Sequence, residues 1–153
     1  MPSERPADSE GSPVTLPDPP RPQGRYVSAI HEGELLLTAG MTPRVDGVMQ
    51  YAGKVGRNVS IEDARRAAHL AASNALAAAV GRMGTPDRVR RVLRITVFVN
   101  AIEGFTEHSE VANGASEAVV ELLGPRGEAV RSAIGVASLP GGACVEVELT
   151  CLV

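Results

Sequence analysis

Apolar positions recur at two different periods along this chain, and the change of period marks its elements. Tyr26-Val27-Ser28-Ala29-Ile30 predicts a strand, His31-Glu32-Gly33-Glu34 a hairpin turn, and Leu35-Leu36-Leu37-Thr38-Ala39-Gly40 a second, more buried strand. Residues 41–57 carry Pro43, Asp46, Gly47, Gly53 and Gly56 and predict an irregular stretch with room for a short hairpin. From Ile61 to about Gly84 the period becomes helical. Ala64, Ala68, Ala71, Ala75 and Ala79, with Leu76 and Val80, form one stripe, and Arg65 and Arg66 fall away from it. Ser60 followed by Asp63 reads as a cap at its start, and so many alanines let the helix approach a sheet closely.

Residues 92–99 (VLRITVFV) are the clearest strand, residues 105–123 predict a second helix ended by Gly124-Pro125, and residues 130–138 and 144–152 predict two last strands joined as a hairpin through Leu139-Pro140-Gly141-Gly142. The order β-β-α-β-α-β-β predicts an α+β fold: one sheet, mixed because of its βαβ crossovers, with two helices packed on one face. Nothing left in the chain covers the other face, which points to self-association through the sheet.

Residues 1–23 differ in kind. Seven of their positions are proline, which predicts an extended tail, with the folded domain at residues 24–153. Pro17 and Pro20 have PxxP spacing, although a tail laid along the surface is the plainer reading. The net charge of -3 and the small aromatic content offer neither a basic field nor a stacking platform, so nucleic acid is disfavoured as a partner. No apolar run is long enough to span a bilayer, and no signal pattern opens the chain. Cys144 and Cys151 read as free, buried thiols, as a reducing cytoplasm favours, and no Cys/His spacing supports a metal.

The last two strands carry the candidate chemistry. Arg131, Ala133, Gly135 and Ala137 share one face, and Glu146, Glu148 and Thr150 share a face of the next strand. Two carboxylates on a core strand need water or a cationic partner. Paired with Arg131 they would form a receptor for a small carboxylic acid and a positioned water. They would equally form a salt bridge that pins a hairpin or a subunit interface. A tight turn at Pro140-Gly141 would bring Arg131 closer to Glu148 than to Glu146. His31, His69 and His108 face no matched nucleophile, and the cluster Arg88, Arg90, Arg91 and Arg94 reads as solvated charge.

The block RSAIGVASLP at 131–140, followed by VEVE at 145–148, resembles the C-terminal signature of the Rid family, also called YjgF/YER057c/UK114 and, in an older label, endoribonuclease L-PSP. The likeness extends through LPDPP at 16–20, Tyr26, LTAG at 37–40, GKVG at 53–56, RITVFVN at 94–100 and VANGAS at 111–116. It is strongest toward the subgroup labelled YjgF/chorismate-mutase-like. The resemblance implies a chorismate-mutase-like α+β fold assembled as a homotrimer with intersubunit clefts. It implies hydrolysis of reactive enamines and imines of the 2-aminoacrylate type to keto acid and ammonia, with no metal or organic cofactor. The family's carboxylate-gripping arginine falls on Arg131, its water-orienting glutamate on Glu146 and its N-terminal tyrosine on Tyr26. Its further substrate-binding positions fall on Ala39, Gly40, Asn113 and Ala133. Ala133 stands where the family commonly has cysteine, Ala39 where it has serine and Met41 where it has glutamine. Those departures predict a less polar pocket, with altered substrate preference or a non-catalytic binding module in place of an enzyme.

Overall fold

The structure is a computed structural model that describes residues 14–153; the part of the proline-rich tail in residues 1–13 lies outside the described residues. The elements follow the predicted order: β1 (Ala29–Glu32), β2 (Leu35–Thr38), β3 (Arg44–Val45), β4 (Val48–Met49), α1 (Ile61–Met83), β5 (Arg91–Asn100), α2 (His108–Leu123), β6 (Val130–Val136) and β7 (Val145–Leu152). Five strands form one mixed sheet in the order β1-β2-β7-β5-β6, and β3-β4 stand apart as a small hairpin turned by Asp46 and Gly47 at positive φ.

The alanine stripe does what its spacing predicts. Ala64, Ala68, Ala71, Ala75 and Ala79 are fully buried against the sheet, with Ser60 Oγ accepting from Asp63 N at 3.1 Å to start α1 and Gly84 in the left-handed region ending it. Arg65 and Arg66 lie outside the stripe, and Arg65 binds Glu110 and Glu117 of α2. The helices meet at Gly114, where a Cβ would overlap the Arg65 carbonyl. Gly114→Ala is therefore expected to cost about 2–3 kcal/mol by prying α1 from α2. Urea unfolding checks this, and an unchanged midpoint would disprove the close approach.

Several boundaries shift. β1 begins at Ala29 because residues 24–28 bend, with Tyr26 N donating to Gly24 O, and the turn narrows to Gly33-Glu34. α2 begins at His108 rather than Phe105 because Gly104, at φ +82°, turns the chain first. The largest correction concerns the last two strands, which do not form a hairpin. β6 pairs parallel with β5, while β7 lies antiparallel between β2 and β5. A crossover through α2 sets β6 beside β5 in parallel. β7 is buried at every second residue and takes the central place, whereas β6 exposes Val130 and Ile134 at the edge.

Cross-strand register fixes which side chains share a face. Ile95, Val97, Val99, Val145, Val147 and Leu149 face the helices and are buried. Glu146 pairs with Phe98 and Glu148 with Thr96 on the opposite face, beside the half-exposed Ile30, Leu37 and Ile134. No described element packs over that face. The cluster Arg88, Arg90, Arg91 and Arg94 is held by the chain's own groups: Met83 O, Glu34, Glu128 O and Ser132 Oγ.

Candidate functional site

The strand β2 ends in an irregularity that shapes the site. Leu37 pairs with Thr150, yet Met41 pairs with Val147, so the chain gains a residue between them. Thr38 Oγ1 accepts from Leu149 N at 3.0 Å where the ladder is broken. The bulge brings Gly40 beneath Glu146: a Cβ there would lie 2.7 Å from the Glu146 carboxyl carbon. Glycine is required by this approach, not by its backbone angles. Burial, followed by the charge of Glu148, pushes the Glu146 carboxyl above the usual carboxylate range. No described residue forms an ion pair with it.

Glu146 and Gly40 border a cavity of about 610 Å³. Its walls are the segment 17–23, Tyr26, the β3–β4 hairpin, Pro140 and Asn74 of α1. The segment 17–23 is held by Ser28 Oγ, which donates to Pro20 O at 2.9 Å, and by Pro19, which rests on Gly81 of α1. Tyr26 Oη accepts from Gln23 N at 3.1 Å, a contact that leaves its own O–H proton uncommitted. The proline-rich residues 17–23 thus lie along the surface as one wall of a pocket.

Arg131 is elsewhere. It stands on the edge strand β6, on the helix side of the sheet, in register with Ile95. Its Nη1 donates to Asn113 Oδ1 and Ser116 Oγ, both at 2.9 Å, and its Nη2 to Ser109 O at 3.3 Å and Ser109 Oγ at 2.8 Å. All these acceptors are neutral, so the guanidinium is aimed by α2 without losing its charge. Asn113, predicted as a substrate contact, accepts a hydrogen bond from Arg131.

The predicted site residues therefore fall into two groups. Tyr26, Gly40 and Glu146 meet in the cavity, and Arg131 meets Asn113 at the sheet edge. The expected pairing of Arg131 with Glu148 or Glu146 does not occur within the chain, because β5 separates β6 from β7 and the side chains leave opposite faces. Ala133 lies beside Val97 and Ala39 is half-buried, its N–H bonded to Ser28 O. Sequence reasoning missed Asn74 and Arg44, which also line the cavity. Asn74 had a signal, as the lone polar residue of a buried alanine helix face.

Cys144 and Cys151 are buried free thiols, pushed up to about 12 by burial, which makes them inert packing groups. Among the described residues no group of His, Cys, Asp and Glu could hold a metal ion, and no helix is long and apolar enough to cross a membrane.

A mixed sheet with two helices on one face, an open opposite face and a carboxylate-bordered cavity at its rim defines a YjgF-type α+β domain. The chain belongs to the family described as Endoribonuclease L-PSP, whose match spans residues 17–153. It is similar to Protein TCP17 of Trypanosoma cruzi, with 37% identity over 88% of this chain and 85% of that protein. Among solved structures it resembles the protein Atu1372 of Agrobacterium tumefaciens, described as of unknown function, at 36% identity and TM-score 0.85 over 92% of this chain and 86% of that one. E. coli TdcF, solved with bound serine, shares the fold at 20% identity and TM-score 0.66 over 94% of this chain and 99% of TdcF.

Proposed function

We propose that the protein hydrolyses reactive 2-imino and 2-enamino acids to 2-keto acids and ammonia, as a homotrimer whose clefts join two copies. One observation carries this reading: a charged Arg131 surrounded only by neutral acceptors and an unpaired Glu146 on the opposite face, both beside uncovered surface. Two incomplete half-sites of opposite charge suit a symmetric assembly in which one copy's β6 edge meets its neighbour's cavity. The bound serine in TdcF supports a small amino-acid-like ligand on this fold.

The chemistry then needs little. The Arg131 fork holds the substrate carboxylate. Glu146 accepts a proton from a water as the water's oxygen bonds to the imine carbon, and returns it to the nitrogen. The carbinolamine so formed expels ammonia and leaves the keto acid. Tyr26 offers its phenolic O–H as a hydrogen bond to the developing polar centre and keeps its proton throughout. The hydration and elimination are redox-neutral and use only groups of the chain. The buried free cysteines suit a cytoplasmic setting.

A second reading, a non-catalytic trimeric module that binds small carboxylic acids, is favoured by Ala39 and Ala133. These remove a hydroxyl and a thiol that archetypal members carry. The ribonuclease implied by the family label has weaker support, because the net charge of -3 opposes a phosphate backbone. The test generates imines in situ with an amino acid oxidase and traps the remainder with semicarbazide. Lower semicarbazone yield in the presence of the protein is the expected result. Full yield with saturable keto-acid binding selects the binding module, and RNA cleavage under the same conditions overturns both. Light scattering is expected to give a trimer mass, and a monomer would remove the shared cleft.

A further inference from the structure

A three-carbon imino acid fills little of the cavity. About 610 Å³ is the scale of pockets that take drug-sized ligands. Beyond Glu146 and Gly40 the space continues past Met41 to the β3–β4 hairpin and Asn74.

Two polar groups equip that extension. Asn74 is only 3% exposed, and its Nδ2 donates at 3.0 Å to both Thr42 O and Arg44 O. Those carbonyls can only accept, which fixes the amide's orientation and leaves Oδ1 as its acceptor at the cavity wall. Arg44 donates from Nε to Thr42 Oγ1 at 3.2 Å and from Nη1 to Gly47 O at 2.9 Å. Its Nη2 lies against Gly141, whose Cβ, if present, would come within 2.6 Å, so the glycine makes room for the guanidinium. No described carboxylate forms an ion pair with Arg44. The extension thus offers one fixed donor and one fixed acceptor. Three carboxylates in the lining (Asp18, Asp46 and Glu146) outnumber two arginines (Arg21 and Arg44), which disfavours a second anionic group.

A guanidinium and an amide, each held by the chain's own groups on the wall of one cavity, suit a primary carboxamide, which both accepts and donates. We propose, building on the imine-hydrolysis reading, that the preferred substrate is a 2-imino acid with a long side chain ending in a carboxamide. The carboxamide carbonyl accepts from Arg44 Nη2 and its NH₂ donates to Asn74 Oδ1. An alkyl chain of equal length would leave both groups unpaired, and a terminal carboxylate would face Oδ1.

Imines made in situ from glutamine, methionine, glutamate and alanine separate the outcomes. The glutamine-derived imine is expected to be consumed with about tenfold higher kcat/KM than the methionine-derived one, by the loss of about one buried hydrogen bond. Arg44→Met is expected to bring that ratio to about one. Val45→Tyr, which narrows the extension from the hairpin, is expected to lower the glutamine and methionine rates relative to alanine. Equal wild-type rates for glutamine and methionine, with alanine-derived imine hydrolysed, overturn the carboxamide pocket but keep the imine reading. If no imine is consumed, saturation-transfer NMR with L-glutamine and L-methionine decides the pocket by itself. Preferential transfer to glutamine that is lost in Arg44→Met upholds it, and equal or absent transfer overturns it.

Discussion

Arg131→Ala is expected to lower kcat/KM for imine hydrolysis by about 10²–10³-fold, and mixing it with Glu146→Gln is expected to restore activity that neither variant has alone. The first number follows from removing a charge-assisted fork that also orients the reacting carbon. Arg131→Lys is expected to recover only part of it, because a point charge cannot make the bidentate contact. The second expectation follows from the sheet. Arg131 and Glu146 leave opposite faces of one chain, so a productive cleft takes each from a different copy. With equal amounts and random exchange, about a quarter of the clefts hold both native groups. Co-expression with two affinity tags isolates the mixed trimers. Mixed assemblies as inactive as their parents would show that the half-sites do not complete one another. Recovery also excludes trivial misfolding of Arg131→Ala, in which the α2 contacts to Ser109, Asn113 and Ser116 are lost.

Glu146→Gln is expected to reduce turnover by about 10²-fold, the usual contribution of a positioned general base. Its pH behaviour has a definite sign. Burial and then Glu148 raise the Glu146 carboxyl above its unfolded value. A carboxyl shifted in that direction favours the native state while protonated, and its contribution is lost as pH rises through the folded value. The glutamine variant is therefore expected to melt higher than wild type at neutral pH, with the gap closing in acid. The wild-type rate should fall with acidification earlier than for an exposed carboxylate, since proton acceptance requires the ionised form. Thermal melts and a pH–rate profile read the two effects separately. A glutamine variant less stable at neutral pH, or a wild-type acid limb in the ordinary glutamate range, would refute the assignment of Glu146 as a half-buried base.

Local pattern made much of the fold legible. The helix α1 declares itself through alanine spacing, Ser60 and Gly84, and β5 through its run of branched residues, because those signals come from contacts within a few residues. A β6–β7 hairpin, which the local pattern predicts, fails for the complementary reason. Two strands eight residues apart look like a hairpin, and nothing local reveals that β5 claims the place between them. The same blindness put Arg131 beside Glu148. Residue types survived the error: a charged fork beside small residues and a carboxylate on a core strand were both recognisable. The cavity was least legible, since Asn74, Arg44 and the segment 17–23 lie far apart in sequence and converge only when α1, the β3–β4 hairpin and the proline-rich wall are assembled.

The central place of β7 has a consequence for how the chain reaches its native state. The sheet is bisected until residues 145–152 arrive, because β2 and β5 are joined only through them. During synthesis from the N-terminus, both helices and four of the five strands emerge while the edges of β2 and β5 are still unpaired. Such a nascent chain is exposed to edge-to-edge pairing with other chains on the same messenger. Folding governed by this most sequence-distant closure should be slow for so small a sheet. Pairing of residues 145–152 is thus the committing event, and a chain truncated before them is expected to aggregate rather than form a smaller folded core.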